Sequence, residues 1–185
     1  MIEAELKARV HAPQDVIRNL DQYGPGHVET YHDTYYDDAD GSLTARDAEL
    51  RTRTVSSPHD TRFVLTYKGA TIDADSGSKP EHETRVTDPD AVHAMLTGLG
   101  YRPAIAFEKR CRNYEFDARG RKMQATLAFL PELDATFLEL ETLIRDDGDV
   151  QEALSDVRAV LHDLGIKDPD LTKERYSEAV AASRG

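Results

Sequence analysis

The sequence predicts an α+β domain of about eight strands with amphipathic helices outside it and the charged strand faces turned inward. Three observations carry this reading. Charged and apolar residues alternate in segment after segment, which is the two-residue period of a strand. Other segments place apolar residues at helical spacing between a Pro or Asp start and a Gly stop. An alternating sheet usually wets its charged face, but these helices each need an apolar sheet face to cover. A closed barrel with a solvated bore meets both demands.

In chain order, the first segment sets Glu3, Glu5, Lys7 and Arg9 on one face and Ile2, Ala4, Leu6 and Ala8 on the other. Taken alone, it reads as a wet sheet face. Pro13 to Tyr23 predicts a short helix with Val16, Ile17 and Leu20 on one side, stopped by Gly24. His27 to Asp37, rich in Tyr and Thr, predicts a strand, and Asp38 to Gly41 a turn. Residues 48 to 54 form a strand projecting Arg51 and Arg53 together. After the hairpin loop Ser56 to Asp60, Arg62 to Lys68 returns as a strand. Ala70 to Lys79 reads as a loop, and Pro80 to Val86 as a strand with Glu81, Glu83 and Arg85 on one face. Asp88-Pro89-Asp90 starts a helix whose apolar side is Ala91, Val92, Met95, Leu96 and Leu99. Strands follow at Ile105 to Phe116, Met123 to Leu130 and Thr136 to Ile144, joined by turns at Arg119 to Arg121 and Pro131 to Asp134. Val150 to Leu164 is a helix ended by Gly165, and Leu171 to Ala182 a terminal helix carrying Lys173, Arg175 and Tyr176. An acid pair on a strand followed by a helix occurs twice, at Glu3/Glu5 and at Glu139/Glu141. The two acidic strands are therefore candidates for neighbours in one sheet.

The 185 residues suit one domain able to bury a core without disulfides, and the lone Cys111 points to a reducing compartment. A start charged from Glu3 onward and no apolar run near ~20 residues lead to the expectation of a cytoplasmic protein without a membrane partner. A net charge of −12 argues against nucleic acid as a partner. Arg outnumbers Lys among the bases, and its planar fork suits phosphate oxygens. Arg62, Arg119, Arg121 and Lys122, at loops or strand ends, read as solvated. The His residues lack zinc-ligand spacing, Asp37, Asp38 and Asp40 lack the downstream Glu of a calcium loop, and Tyr31, Tyr35 and Tyr36 read as packing residues.

Bases from many strands crowded into one bore call for an anion, and Glu3, Glu5, Glu139 and Glu141 call for a cation. A triphosphate with Mg²⁺ or Mn²⁺ satisfies both, since hard carboxylate oxygens suit those ions and Arg and Lys suit phosphate. At this point the sequence resembles the CYTH family of triphosphate tunnel metalloenzymes along nearly its whole length. Glu3-Ala4-Glu5-Leu6-Lys7 resembles the ExExK opening, and Asp33-Thr34-Tyr35-Tyr36-Asp37 the DxYFD strand. Leu50-Arg51-Thr52-Arg53 and Leu65-Thr66-Tyr67-Lys68-Gly69 are similar to the LRxR and LTxKG strands. Lys109 to Tyr114 is similar to the basic strand, Glu139-Leu140-Glu141 to the second acid pair, and Lys173-Glu174-Arg175-Tyr176 to the C-terminal helix motif.

The resemblance implies a single domain over residues 1–185, an eight-stranded antiparallel β-barrel whose tunnel holds a nucleoside or inorganic triphosphate with one or two divalent metals. By position, Glu3, Glu5, Glu139 and Glu141 are expected as metal ligands. Lys7, Arg51, Arg53, Lys68, Arg110, Arg112 and Lys173 are expected to hold phosphates, with Glu3, Glu5 and Lys7 at the chemistry. Arg9 and Arg85 are lesser tunnel candidates. Arg110 and Arg112 are preferred to Lys109, which alternation puts on the opposite face. Within the family the sequence looks most like the class IV adenylyl cyclases, which convert ATP to cyclic AMP and pyrophosphate; inorganic or thiamine triphosphatase is the alternative. Two departures stand out. Ala128 falls where the family carries an Asp, which supports a third reading, a binding module without turnover. Cys111 replaces a common Arg. A homodimer is left open.

Overall fold

The computed structural model describes residues 2–73, 77–145 and 149–185. Met1 of the first strand and residues 74–76 of the predicted 70–79 loop lie outside them. Eight antiparallel strands close a barrel in the order β1-β5-β4-β3-β2-β6-β7-β8. They are β1 (Ile2–Val10), β2 (His27–Asp37), β3 (Glu49–Ser56), β4 (Thr61–Lys68), β5 (Lys79–Val86), β6 (Arg102–Ala118), β7 (Arg121–Leu130) and β8 (Ala135–Ile144). The helices are α1 (Pro13–Leu20), α2 (Ser42–Ala45), α3 (Pro89–Gly98), α4 (Val150–Asp163) and α5 (Tyr176–Arg184). The two acidic strands are direct neighbours: β1 pairs with β8 so that Glu5 opposes Glu141 and Lys7 opposes Glu139.

Alternation sorts each strand into two faces, and the helices decide which of them is outside. Val16 and Leu20 of α1 and Ala153, Leu154, Val157, Val160 and Leu161 of α4 are buried in one core. They pack on the outer face of the barrel: Ile2, Ala4, Leu6 and Ala8 of β1, Met123, Ala125 and Leu127 of β7, Leu138 and Leu140 of β8, and Tyr114 and Phe116 of β6. Each large aliphatic side chain removed from water there contributes roughly 1.5–3 kcal/mol. With that face covered, the charged residues of β1 and β8 have only the bore to enter.

A second apolar cluster fills part of the interior. Tyr31, Val55, Phe107, Cys111, Ala128, Leu130 and Phe137 meet Tyr176 and Val180 of α5. The β6–β7 hairpin turns on Arg119 (φ 54°) and Gly120 (φ 74°), the paired positive φ angles of a two-residue turn whose twist matches that of the strands. Asp37 accepts from the backbone N–H of Asp38, Leu43 and Thr44, and Asp38 from those of Asp40 and Ser42. These two acids hold the expected turn and also the start of α2, a short helix the sequence reading did not include.

Several expected boundaries move; α1 ends at Leu20 and not at Tyr23, and β3 runs on to Ser56. β6 begins at Arg102, because its extra residues pair with the end of β2. The terminal helix begins at Tyr176 and not at Leu171. Leu171 forms a bridge with Ala8, and the Thr172 N–H donates to the Lys7 carbonyl, so this stretch is held extended against β1.

Candidate active site

The inward faces enclose a cavity of about 650 Å³, within the range of small-molecule sites. Its lining includes Glu3, Glu5 and Lys7 from β1, Arg51 and Arg53 from β3, Lys68 from β4, Glu139 and Glu141 from β8, and Lys173 from the segment before α5. Nine of the expected site residues thus share one chamber, drawn from five parts of the chain.

Acids gather on one side of it. Glu3, Glu5 and Glu141 each offer an oxygen, and these lie within 4.8 Å of one another. Burial raises the Glu5 and Glu141 pKa values to about 7, with Glu139 and Glu3 adding repulsion at Glu5, and Glu5 and Glu81 at Glu141. Glu3 is pushed well up by burial, which Lys68 opposes and Glu141 and Glu81 reinforce. Lys68 hydrogen-bonds Glu3 and lies 3.2 Å from Glu81. Converging hard oxygens that repel one another fit a divalent cation of the Mg²⁺ or Mn²⁺ kind. Glu139 stands apart from this trio. Its Oε2 lies 3.9 Å from the Lys109 ammonium, and Lys109 and Lys7 overcome its burial to lower its pKa.

Bases gather around one carboxylate on the other side. Asp33 has no exposed side-chain surface and accepts two hydrogen bonds from Arg53, at 2.6 Å from Nε and 2.8 Å from Nη2. Lys109 lies 3.7 Å from it and Arg51 3.9 Å. Burial would raise the Asp33 pKa, but Arg53, Lys109 and Arg51 hold it far below the carboxylate range. Arg51 also donates to Thr66 Oγ1 at 3.0 Å, while its buried Nε has no partner. The result is a rigid set of cationic donors facing the acid trio.

The expectation that Arg110 and Arg112 face the bore is corrected. The Arg110 side chain is 64% exposed and pairs with Glu108, and Arg112 pairs with Asp21 beside α1. Lys109, 2% exposed, is the β6 base in the tunnel. The signal was present in Tyr114 and Phe116, whose apolar side packs against the outer core and fixes Arg110 and Arg112 on that same face. Arg9 and Arg85 do not line the cavity. Arg62, read as solvated, does line it and makes two hydrogen bonds to Glu29. Ala128 is likewise off the level of the acids, since it pairs with Phe137 and Cys111 in the apolar cluster. The β7 residue opposite Glu141 is Gln124, itself opposite Glu115, and both line the cavity. Sequence reading also missed Lys79, Glu81 and Tyr176 as lining residues. Alternation sets Glu81 beside Glu83 on one face but does not say that this face turns inward, and it does not mark Lys79, at the start of β5, or Tyr176, at the start of α5.

Comparison with known proteins agrees with this architecture. The CYTH domain family profile matches residues 1–176. A protein of Methanocaldococcus jannaschii provisionally named adenylate cyclase is 26% identical over 180 residues, covering 96% of this chain and 98% of that one. Among solved structures, the PH1819 protein of Pyrococcus horikoshii OT3 superposes with a TM-score of 0.83 at 23% identity, covering 98% of this chain and 99% of that one. A Vibrio parahaemolyticus protein, provisionally an adenylate cyclase, gives 0.82 at 20% identity and covers 98% of both chains. A Hippeastrum protein, provisionally an adenylyl cyclase and described as having a dominant triphosphatase activity, gives 0.66 at 16% identity, covering 98% and 96%. Among the described residues no helix is long and apolar enough to cross a membrane.

Proposed function

The chain belongs to the CYTH domain family, and from that premise we propose that it is a metal-dependent enzyme acting on a triphosphate held in the barrel, with ATP cyclisation as its reaction. The observation that carries the reading is the convergence of Glu3, Glu5 and Glu141 in the same chamber as Lys7, Arg51, Arg53, Lys68 and Lys109. The carboxylates would hold Mg²⁺ or Mn²⁺, which when bound supplies charge neutralisation and lowers the pKa of an attacking hydroxyl.

The side chains supply position and field. Arg53 and Lys109 are fixed by Asp33 before substrate arrives, so little reorganisation opposes binding of a phosphate chain. They and Arg51 hold the leaving pyrophosphate in line with the attacked phosphorus. In the cyclase reaction the ribose 3′-oxygen forms a bond to the α-phosphorus, the bond from that phosphorus to the bridging oxygen breaks, and the 3′ proton leaves to solvent. No side-chain general base is required.

A triphosphatase is the second reading, favoured by the activity described for the Hippeastrum neighbour. The same residues would hold the chain while water attacks the terminal phosphorus of inorganic or thiamine triphosphate. The binding module without turnover is the third reading: Ala128 itself lies in the apolar cluster, and the β7 residues opposite Glu141 and Glu139 are Gln124 and Thr126, which supply no carboxylate to the trio. The test is incubation with ATP, tripolyphosphate and thiamine triphosphate in Mg²⁺ or Mn²⁺. Cyclic AMP and pyrophosphate from ATP are expected; phosphate without cyclic AMP would overturn the cyclase reading. In the Glu3→Gln and Glu5→Gln variants turnover should drop by about 10²–10³-fold each, the scale of losing one preorganised electrostatic group.

A further inference from the structure

We infer that the Tyr176 hydroxyl is a substrate-contacting group that donates a hydrogen bond to a phosphate oxygen at the inner end of the tunnel. The inference rests on the triphosphate reading above. Tyr176 is only 5% exposed, lines the cavity, and has no hydrogen-bond partner for its hydroxyl. Leaving such a group unmade costs about 1–3 kcal/mol, so an orphan of this kind needs a reason.

Its surroundings state what is missing. The Lys7 ammonium lies 4.4 Å from the ring centroid and that of Lys109 4.8 Å, and both are donors only. Phe137 packs against the ring at 5.2 Å, edge on, and Val180 shares the same apolar cluster. Burial, and then the nearby Glu139 and Glu5 carboxylates, push the tyrosine pKa well up; Glu139 is close enough to interact with the hydroxyl but does not meet hydrogen-bond geometry with it. A neutral donor thus sits between two ammonium groups, and its neighbouring carboxylate, Glu139, does not complete a hydrogen bond to it. A phosphate oxygen brought in by Lys7 and Lys109 supplies the acceptor. Because the apolar cluster lies behind the ring, Tyr176 also marks how far a phosphate chain enters.

The Tyr176→Phe variant tests this. It keeps the ring, its cation–π contacts and its packing, and removes only the orphan oxygen. Calorimetric titration of wild type and variant with tripolyphosphate and Mg²⁺ reads affinity, and thermal unfolding of both without ligand reads stability. A hydrogen bond to a charged acceptor is worth ~1.5–3 kcal/mol, so the variant should bind about ten- to a hundredfold more weakly. Its unliganded unfolding midpoint should stay level or rise, whereas a structural hydroxyl, including one satisfied by a resident water, predicts a fall. Wild-type binding with unchanged affinity in the variant overturns the inference and leaves the triphosphate reading intact. Absence of tripolyphosphate binding by wild type overturns both.

Discussion

Two patches of the tunnel lining solve the problem of buried charge in opposite ways. Around Asp33, one acid is surrounded by Arg53, Lys109 and Arg51, so opposite charges satisfy each other and the carboxyl stays ionised. Around Glu3, Glu5 and Glu141, acids face acids, and Lys68 is the cation in contact with them through Glu3. The first patch is finished by folding. The second is left with like charges, which protonation of its raised carboxyls relieves and which, on the proposed reading, a bound cation relieves. The difference separates a patch that orients bases from a patch whose acids stay uncompensated by the chain itself.

Breaking the finished patch should have the largest effect. Asp33→Ala leaves Arg53 and Lys109 buried without their shared partner. The expected loss of stability is about 3–5 kcal/mol, read by urea unfolding. A loss under about 1 kcal/mol would mean that water, not Asp33, neutralises these bases.

The unfinished patch should respond to pH with the sign set by its raised carboxyls. Glu5 and Glu141 have folded pKa values of about 7, above the ordinary carboxyl value, so the folded protein binds more protons between roughly pH 4.5 and 7. Their contribution is fully present below that window and is lost as pH rises through 7. The unfolding midpoint of metal-free protein should therefore fall from pH 5 to pH 8, and Mn²⁺ should raise it more at pH 8 than at pH 5. A midpoint flat across that range, with and without Mn²⁺, would count against this patch as a cation site.

The smallest expected effect sharpens the border between tunnel and surface. Lys109→Ala should weaken tripolyphosphate binding by about tenfold or more, as for loss of a charge-assisted contact. Arg110→Ala, one residue away on the wet face, should stay within about 0.5 kcal/mol in stability and leave binding level. Equal losses in both variants would show that the strand register differs from the one described.

Much of this was legible because charge alternation is local. The strand positions and the shared faces of Glu3, Glu5 and Lys7 or of Arg51 and Arg53 follow from a two-residue period. The repeat of an acid-pair strand before a helix only suggested that the two acidic strands lie near each other, which the β1–β8 pairing realises. Which face points inward does not. In β6, Lys109 and Arg110 are equally good bases by sequence, and only the packing of Tyr114 and Phe116 against the outer core turns Arg110 to water. Ala128 shows the same limit along a strand: its place relative to the acids depends on the register of β7 with β8. The segment 171–175, apolar and charged enough for a helix, is held extended by its bonds to β1.

The sequence by itself determined the strands and which charged residues share a face, because those features repeat with the strand period. Its amphipathic helices, each needing an apolar sheet face to cover, favoured a barrel with the charges inside. Only the tertiary structure decided that Glu139 faces Lys109 and not the acid trio, that Asp33 anchors the bases, and that Tyr176 lines the chamber with a hydroxyl that completes no hydrogen bond. Each of these depends on contacts between strands and helices far apart in the chain, where closure of the barrel, not local pattern, sets who meets whom.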